Sequence, residues 1–292
     1  VQAILKVDLK VIGWALAVLG RALDRPELTA LARKANRRVQ TDVAALAGEG
    51  LLAGRAGARL TAYACGEVAP ADWGRPVTAD VAAGAAGVLL AQVRTQARLD
   101  PLLVRCLARA AQAQEVGWAW CTPDPLARDP RGRPLCGLAH GASGVVLALV
   151  EAAAVAPGFG PVPALAVGGL DWESDLFDSA RGWPDLRREP SEFTWSWCHG
   201  GAGATAVRLR LLQLARRGAD LGMPLGVVQA QAEAGLELCR AHLRATIAAA
   251  AEGMPPRAGL SLCHGLGGAL DAFVLGAEVL GSAELLGEAE AA

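Results

Sequence analysis

Apolar residues recur at helical spacing through most of the chain, and the stripes are of two kinds. Long segments such as LTALARKANRRVQTDVAALAGE (28–49) and VVQAQAEAGLELCRAHLRATIAAA (227–250) carry a wide apolar stripe beside a charged face. That pattern predicts helices with one side in water. Short segments such as VLLAQV (88–93) and VVLALVEAAAVA (145–156) are apolar nearly all round, which predicts helices buried on every side. β-Branched alternating runs are scarce. The expected class is all-α, with an inner helix layer covered by an outer one.

Each short apolar run follows a G-x-x-G turn: Gly54/Gly57, Gly84/Gly87, Gly141/Gly144, Gly200/Gly203 and Gly265/Gly268. With 35 glycines in the chain, about four such pairs arise from composition alone, so the bare motif means little. Context gives it weight, because all five pairs open an apolar run and three are immediately preceded by His or Cys-His. Glycine at such a turn lets backbones approach and leaves helix-start amides facing outward. Successive turns lie 30, 57, 59 and 65 residues apart, room for one inner–outer helix pair each, the first excepted. The stretch between Gly57 and Gly84 is too short for a full outer helix. KVIGWALAVLGRALDRPELTALARKA (10–35) reads as a further copy with a degenerate Gly turn.

The chain has 292 residues, enough for one large domain or two ordinary ones. A net charge of −1 provides no basic surface for nucleic acid or an anionic membrane. Charged residues interrupt every long apolar run, so no membrane span is expected. No cationic start and cleavage site mark a secretion signal. The chain lacks an initiator Met and stops inside a helical pattern, AELLGEAEAA, so both ends read as cut. Seven cysteines, an odd number, are spread through a chain too large to need disulfide staples. Buried or metal-bound thiols in a reducing cytoplasm are expected. Cys65, Cys106 and Cys239 lie in apolar helical runs and read as core residues. Cys121 and Cys136 bracket the Pro-rich loop TPDPLARDPRGRPL, and His242, on a charged stripe, reads as surface.

Candidate chemistry sits at the Gly turns. Cys198 in WCHGGAG and Cys263-His264 in LCHGLGG offer two thiolates and an imidazole, a set suited to zinc. Three ligands leave a fourth position open, as in catalytic rather than structural zinc sites. Adjacent residues do not share a helix face, so Cys263 and His264 can reach one ion only from a turn before the helix. His140 precedes a third such turn in GLAHGASG. The same residues could instead be two buried cysteines and incidental histidines, and Asp80 in TADVAAG could simply cap a helix. LDWESDLFDSARGWPDLRRE (170–189) is acidic and aromatic, and its Asp175, Asp178 and Arg187 are either solvated or paired.

Taken in order, DVAAGAAG (80–87), GLAHGASG (137–144), SWCHGGAG (196–203) and SLCHGLGG (261–268) resemble the lanthionine synthetase cyclase family, the LanC-like proteins. The resemblance covers residues 10 to 292. Segment 170–189 and His199, where stand-alone cyclases more often carry Tyr, resemble the cyclase domain of bifunctional LanM-type synthetases. A GGAG turn after the first Cys-His departs from the family's usual Pro. The resemblance implies an α,α-toroid, incomplete here with about five to six of seven repeats, residues 1–292 forming a cyclase domain truncated at both ends. It implies one Zn²⁺ on Cys198, Cys263 and His264, His140 as acid–base catalyst, and Asp80 as the carboxylate that orients His140. Trp197 and His199 would line the cavity and hold the metal loop. The implied reaction adds a peptide cysteine thiolate to dehydroalanine or dehydrobutyrine, forming a lanthionine or methyllanthionine ring. The partner would be a dehydrated precursor peptide, supplied by a fused N-terminal dehydratase domain absent from this chain. Two alternatives are a LanC-like protein that binds or adds glutathione, and a helical scaffold with structural zinc. Toroidal glycosidases would need paired carboxylates at the turns, and none is placed there.

Overall fold

The structure is a computed structural model that describes residues 2–291 except 42, 44, 45, 47, 69–71, 123–131, 160, 161, 188, 254–258 and 260. The chain divides into two compact units, Val1–Ala110 and Ala111–Ala292.

The first unit holds five helices: α1 (Gln2–Ala22), α2 (Pro26–Gln40), α3 (Arg55–Ala64), α4 (Ala85–Arg94) and α5 (Pro101–Ala110). α1 packs on α2 and α3, and α4 lies between α3 and α5. Proline at the first position of α2 suits a helix start, where its missing N–H is no loss. Ala32, Asn36 and Val39 form the buried stripe of α2, while α4 is buried continuously from Ala85 to Gln92. The two stripe types read from the sequence therefore belong to a half-covered and an enclosed helix. Among the described residues no helix lies between α3 and α4, as the short Gly57–Gly84 interval requires.

The second unit begins with a small antiparallel sheet, β1 (Ala111–Ala113), β2 (Trp118–Thr122) and β3 (Arg133–Pro134). Then follow α6 (Ala142–Val155), α7 (Val162–Asp175), the short β4 (Pro184–Asp185) and β5 (Glu192–Phe193) pair, α8 (Gly201–Arg216), α9 (Leu225–Ala251), α10 (Leu266–Leu280) and α11 (Ala283–Ala291). α8 packs between α6 and α10, and these three form the inner row. α7 covers α6, α9 covers α8, and α11 covers α10. α6 buries every residue from Ala142 to Ala152. α9 buries Val228, Ala232, Gly235, Leu236, Cys239 and Leu243, one stripe of an otherwise solvated helix.

Five helices, α3, α4, α6, α8 and α10, start from the predicted Gly turns. Each has an extended glycine at its N-cap and no side-chain cap. Helix-start amides need acceptors, and here the first one bonds a carbonyl seven residues back. The pairs are Arg55 to Gly48 (3.0 Å), Ala85 to Thr78 (2.8 Å), and Ala142 to Leu135, Gly201 to Thr194 and Leu266 to Gly259 (each 2.9 Å). The turn thus closes on itself by backbone alone. Where turns stack, glycine is needed for space. Gly137 has φ +94°, and a Cβ there would lie 2.6 Å from His199 Cα.

Several expectations change. Short strands occur where only helix was expected, and α2 ends at Gln40 instead of continuing to 49. Cys239 is buried and burial pushes its thiol up to about 12, but Cys106 is exposed and Cys65 half-buried. Cys106 falls outside the α5 stripe of Leu103, Val104 and Leu107. His242 is half-buried, its ring 6.4 Å from that of Trp195, because α9 carries it under the β5–α8 connection. Most of the loop bracketed by Cys121 and Cys136 lies outside the described residues.

Two predictions follow from packing. Gly137→Ala forces a side chain into a left-handed position against backbone, which costs about 2 kcal/mol or more; chemical denaturation of the variant should register that loss. Lys10 is buried, donates to Gly54 O at 3.2 Å, and burial lowers its pKa from 10.5 to about 8. Between pH 8 and 10.5 the folded form sheds this proton first, so stability rises with pH through that window and falls back as pH drops towards 8. Urea unfolding at pH 7.5 and 10 should show a rise of up to about 3 kcal/mol that Lys10→Met abolishes.

Candidate metal and acid–base centre

Three Gly turns of the second unit stack edge to edge. Trp197 N–H donates to Cys263 O at 2.9 Å, joining the third turn to the second. Leu138 N–H donates to Trp197 O at 3.1 Å, and the amides of Ala139 and His140 donate to Cys198 O at 3.0 and 3.1 Å, joining the second to the first. This backbone ladder brings together residues more than a hundred positions apart in sequence. It delivers His140, Cys198-His199 and Cys263-His264 in successive rungs.

The ligand atoms of Cys198, Cys263 and His264 lie within 4.8 Å of one another, and among the described residues this is the one such group of three. Cys198 Sγ is 3.5 Å from His264 Nε2, the separation of about 3.5 Å that a sulfur and a nitrogen sharing one tetrahedral zinc adopt. The two sulfurs are joined here as a disulfide, with Cα atoms 5.4 Å apart. Reduction frees both to act as ligands. Cys198 is buried, Cys263 half-buried and His264 exposed, so solvent reaches the group from the His264 side. The donor set fits zinc, and the described residues add no fourth protein ligand.

His199 is 3% exposed. Its ring lies between the other two imidazoles, 6.4 Å from that of His140 and 5.1 Å from that of His264. Neither ring nitrogen has a hydrogen-bond partner. Its Nε2 is 3.7 Å from Asp185 Oδ2. Burial, helped by the Arg187 guanidinium, pushes His199 down to about 4, so the ring is neutral at ordinary pH. Burial works to raise Asp185, yet hydrogen bonds from Arg187 hold it below the usual carboxylate range. Burial and Arg187 also lower His264, leaving its imidazole available as a neutral ligand. Arg187 is thus paired with Asp185, and Asp178 with Arg181.

Trp197 ties the site together a second way, its indole N–H donating to Asp271 Oδ2 on α10 at 3.1 Å. Thr122 Oγ1 donates to His140 O at 2.6 Å, anchoring the His140 turn to β2. Asp80 belongs to the first unit. Its buried carboxylate accepts from Thr78 Oγ1 and Ala83 N–H, both at 3.2 Å, within its own turn.

Beneath the His140 turn lies a buried polar cluster that the motifs did not reveal. Glu173 on α7 and Arg208 on α8 pair at 3.0 Å with both side chains fully buried. Trp183 packs under Arg208, 4.2 Å from guanidinium to ring centre. Cys136 is buried nearby, and burial raises its thiol well above the ordinary value. One signal in the sequence could have flagged Arg208: it is a charge inside the otherwise apolar start of α8, GAGATAVRL.

The model of the lanthionine synthetase C-like protein family matches residues 12–292. Among solved structures, nisin cyclase superposes with a TM-score of 0.65 at 15% identity, covering 96% of this chain and 78% of that one. That likeness assigns the chain to the helical fold class expected from its sequence. No curated protein sequence matches the chain. Among the described residues, no helix is long and apolar enough to cross a membrane. The family match, which spans residues 12–292, places the chain among the lanthionine synthetase C-like proteins.

Proposed function

We propose that the chain is a zinc-dependent lanthionine cyclase acting on a dehydrated precursor peptide. The observation that carries this reading is the convergence of Cys198, Cys263 and His264 within 4.8 Å, on the same ladder as His140. The name of its structural neighbour, nisin cyclase, supports a peptide as substrate.

Reduced Cys198 and Cys263 would hold the ion with His264. A zinc held there would supply Lewis acidity that favours the thiolate form of a substrate cysteine. The two protein thiolates offset the ion's charge, so the substrate sulfur keeps electron density for attack. The sulfur then bonds to the β-carbon of dehydroalanine or dehydrobutyrine, the double bond's electrons shift to an enolate, and the α-carbon takes a proton. Hydrogen count is conserved, because the thiol's proton leaves and one returns at carbon. His140 is the group proposed to move that proton, on its place in the turn that bonds directly to the Cys198 carbonyl. Trp197, bonded to Asp271 and to the Cys263 carbonyl, keeps the metal turn in register. Neutral His199 packs between the imidazoles without adding charge beside the ligands. Asp80 is proposed, on its DVAAGAAG motif, as the acidic partner of His140.

Segment 170–189 and His199 favour the LanM-type arrangement, in which the dehydratase that prepares the substrate belongs to the same polypeptide. Ligands that must stay reduced fit a cytoplasmic setting.

Metal analysis of reduced protein should give about one zinc per chain, and Cys198→Ala, Cys263→Ala and His264→Ala should each abolish it. Zinc-loaded protein that leaves every substrate thiol open to alkylation would overturn the cyclase reading. His140→Ala should keep its zinc yet slow ring closure about 10²–10⁴-fold, followed as loss of alkylatable thiol by mass spectrometry.

A further inference from the structure

We infer that Glu173, held by Arg208, is the positioning residue that sets His140 against the sulfur ligands; this rests on the cyclase reading. Glu173 reaches inward from α7 and grips both ends of the loop that carries His140. Its Oε1 accepts the amides of Gly137 at 3.1 Å and Ser143 at 2.9 Å. Its Oε2 accepts the Ser143 hydroxyl in a short bond and Arg208 Nη1 at 3.0 Å. His140 lies midway along the loop so clamped.

Arg208 brings in the other turn. It sits on α8, the helix that starts directly after Cys198-His199-Gly200. Its Nη1 also donates to Ser143 Oγ at 3.1 Å and to Ala204 O at 3.2 Å, and its Nε to Gln231 Oε1 at 2.8 Å. The pair therefore runs from the His140 loop to the first turns of the helix behind Cys198. Trp183 locks it from below, its indole N–H donating to Glu173 O at 3.0 Å.

A fully buried ion pair is a poor device for stability alone, because desolvation cancels much of the attraction and apolar residues of equal volume do as well. What an apolar pair cannot do is direct three donors to fixed points. The carboxylate also lies at the N-terminus of α6, where the helix dipole favours negative charge. Direction matters for His140, since displacing an acid–base group by about 1 Å costs roughly 100-fold in rate. The otherwise unexplained segment 170–189 thereby gains a role: it supplies Glu173, Trp183 and Asp185, all buried behind the three turns.

Glu173→Gln tests the inference, using zinc-loaded protein and a dehydrated precursor peptide. We expect full zinc content, KM within about twofold and kcat reduced about 30-fold or more. In a His140→Ala background the same change should have no further effect, because the residue acts through that imidazole. A purely structural role predicts an equal loss in both backgrounds, and that result overturns the inference, as does an unchanged kcat. Should Glu173→Gln not fold, Ser143→Ala carries the same cycle, with an expected loss of about threefold or more that again vanishes without His140. The cyclase reading fails separately, if the wild type itself closes no ring.

Discussion

The site depends on backbone hydrogen bonds between glycine turns. Each turn spends its free amides and carbonyls on the next, so that Cys263 O accepts from Trp197, and Trp197 and Cys198 carbonyls accept from Leu138, Ala139 and His140. The same device appears within the first unit, where Gly50 and Leu51 amides reach Ala83 and Val81 carbonyls, both at 2.9 Å. Spacing between functional residues is then set by peptide geometry, which side-chain packing only reinforces. This explains why the turns are built from glycine. At Gly203 a Cβ would collide with the Trp197 carbonyl and sit 2.9 Å from Leu138 N, breaking the rung that carries the first turn.

Polar groups behind the ladder refine what the backbone sets. Glu173, Asp185 and Arg208 are buried, and each has the directional partner that burying such a group requires. Asp185 answers Arg187 and faces His199; Glu173 answers Arg208 and faces the His140 loop. Glu173 lies near the end of α7 and Asp185 in β4, so the one stretch of chain running from α7 to β4 supports two neighbouring rungs.

The sequence made the inner helices legible through their apolar runs, and the candidate site legible because His140, Cys198, Cys263 and His264 share one local pattern whose turns stack in the fold. It also separated inner from outer layers, as the contrast between α6 and α9 bears out. What it concealed is non-local. The seven-residue carbonyl bond that closes each turn leaves no compositional trace. Strands as short as β4 and β5 lack enough residues for a period-two pattern. Cys106 read as core because its neighbours are apolar, although helix phase turns it to solvent. Glu173 read as one acid among several, since nothing in LDWESDLFDSARGWPD separates the buried Glu173 from the half-buried Asp178 that pairs with Arg181.

A zinc ion, if bound, would draw on the same sulfur electron pairs that the disulfide between Cys198 and Cys263 now engages. The ladder holds the two Cα atoms 5.4 Å apart with main-chain bonds that involve Trp197, so once a reductant supplies two electrons and two protons to the disulfide, the freed thiols can part by rotation about side-chain bonds. Ligand position therefore precedes the ligand: the turns are fixed by amides that no metal touches. A site prepared in this way loses little ordering entropy when an ion binds.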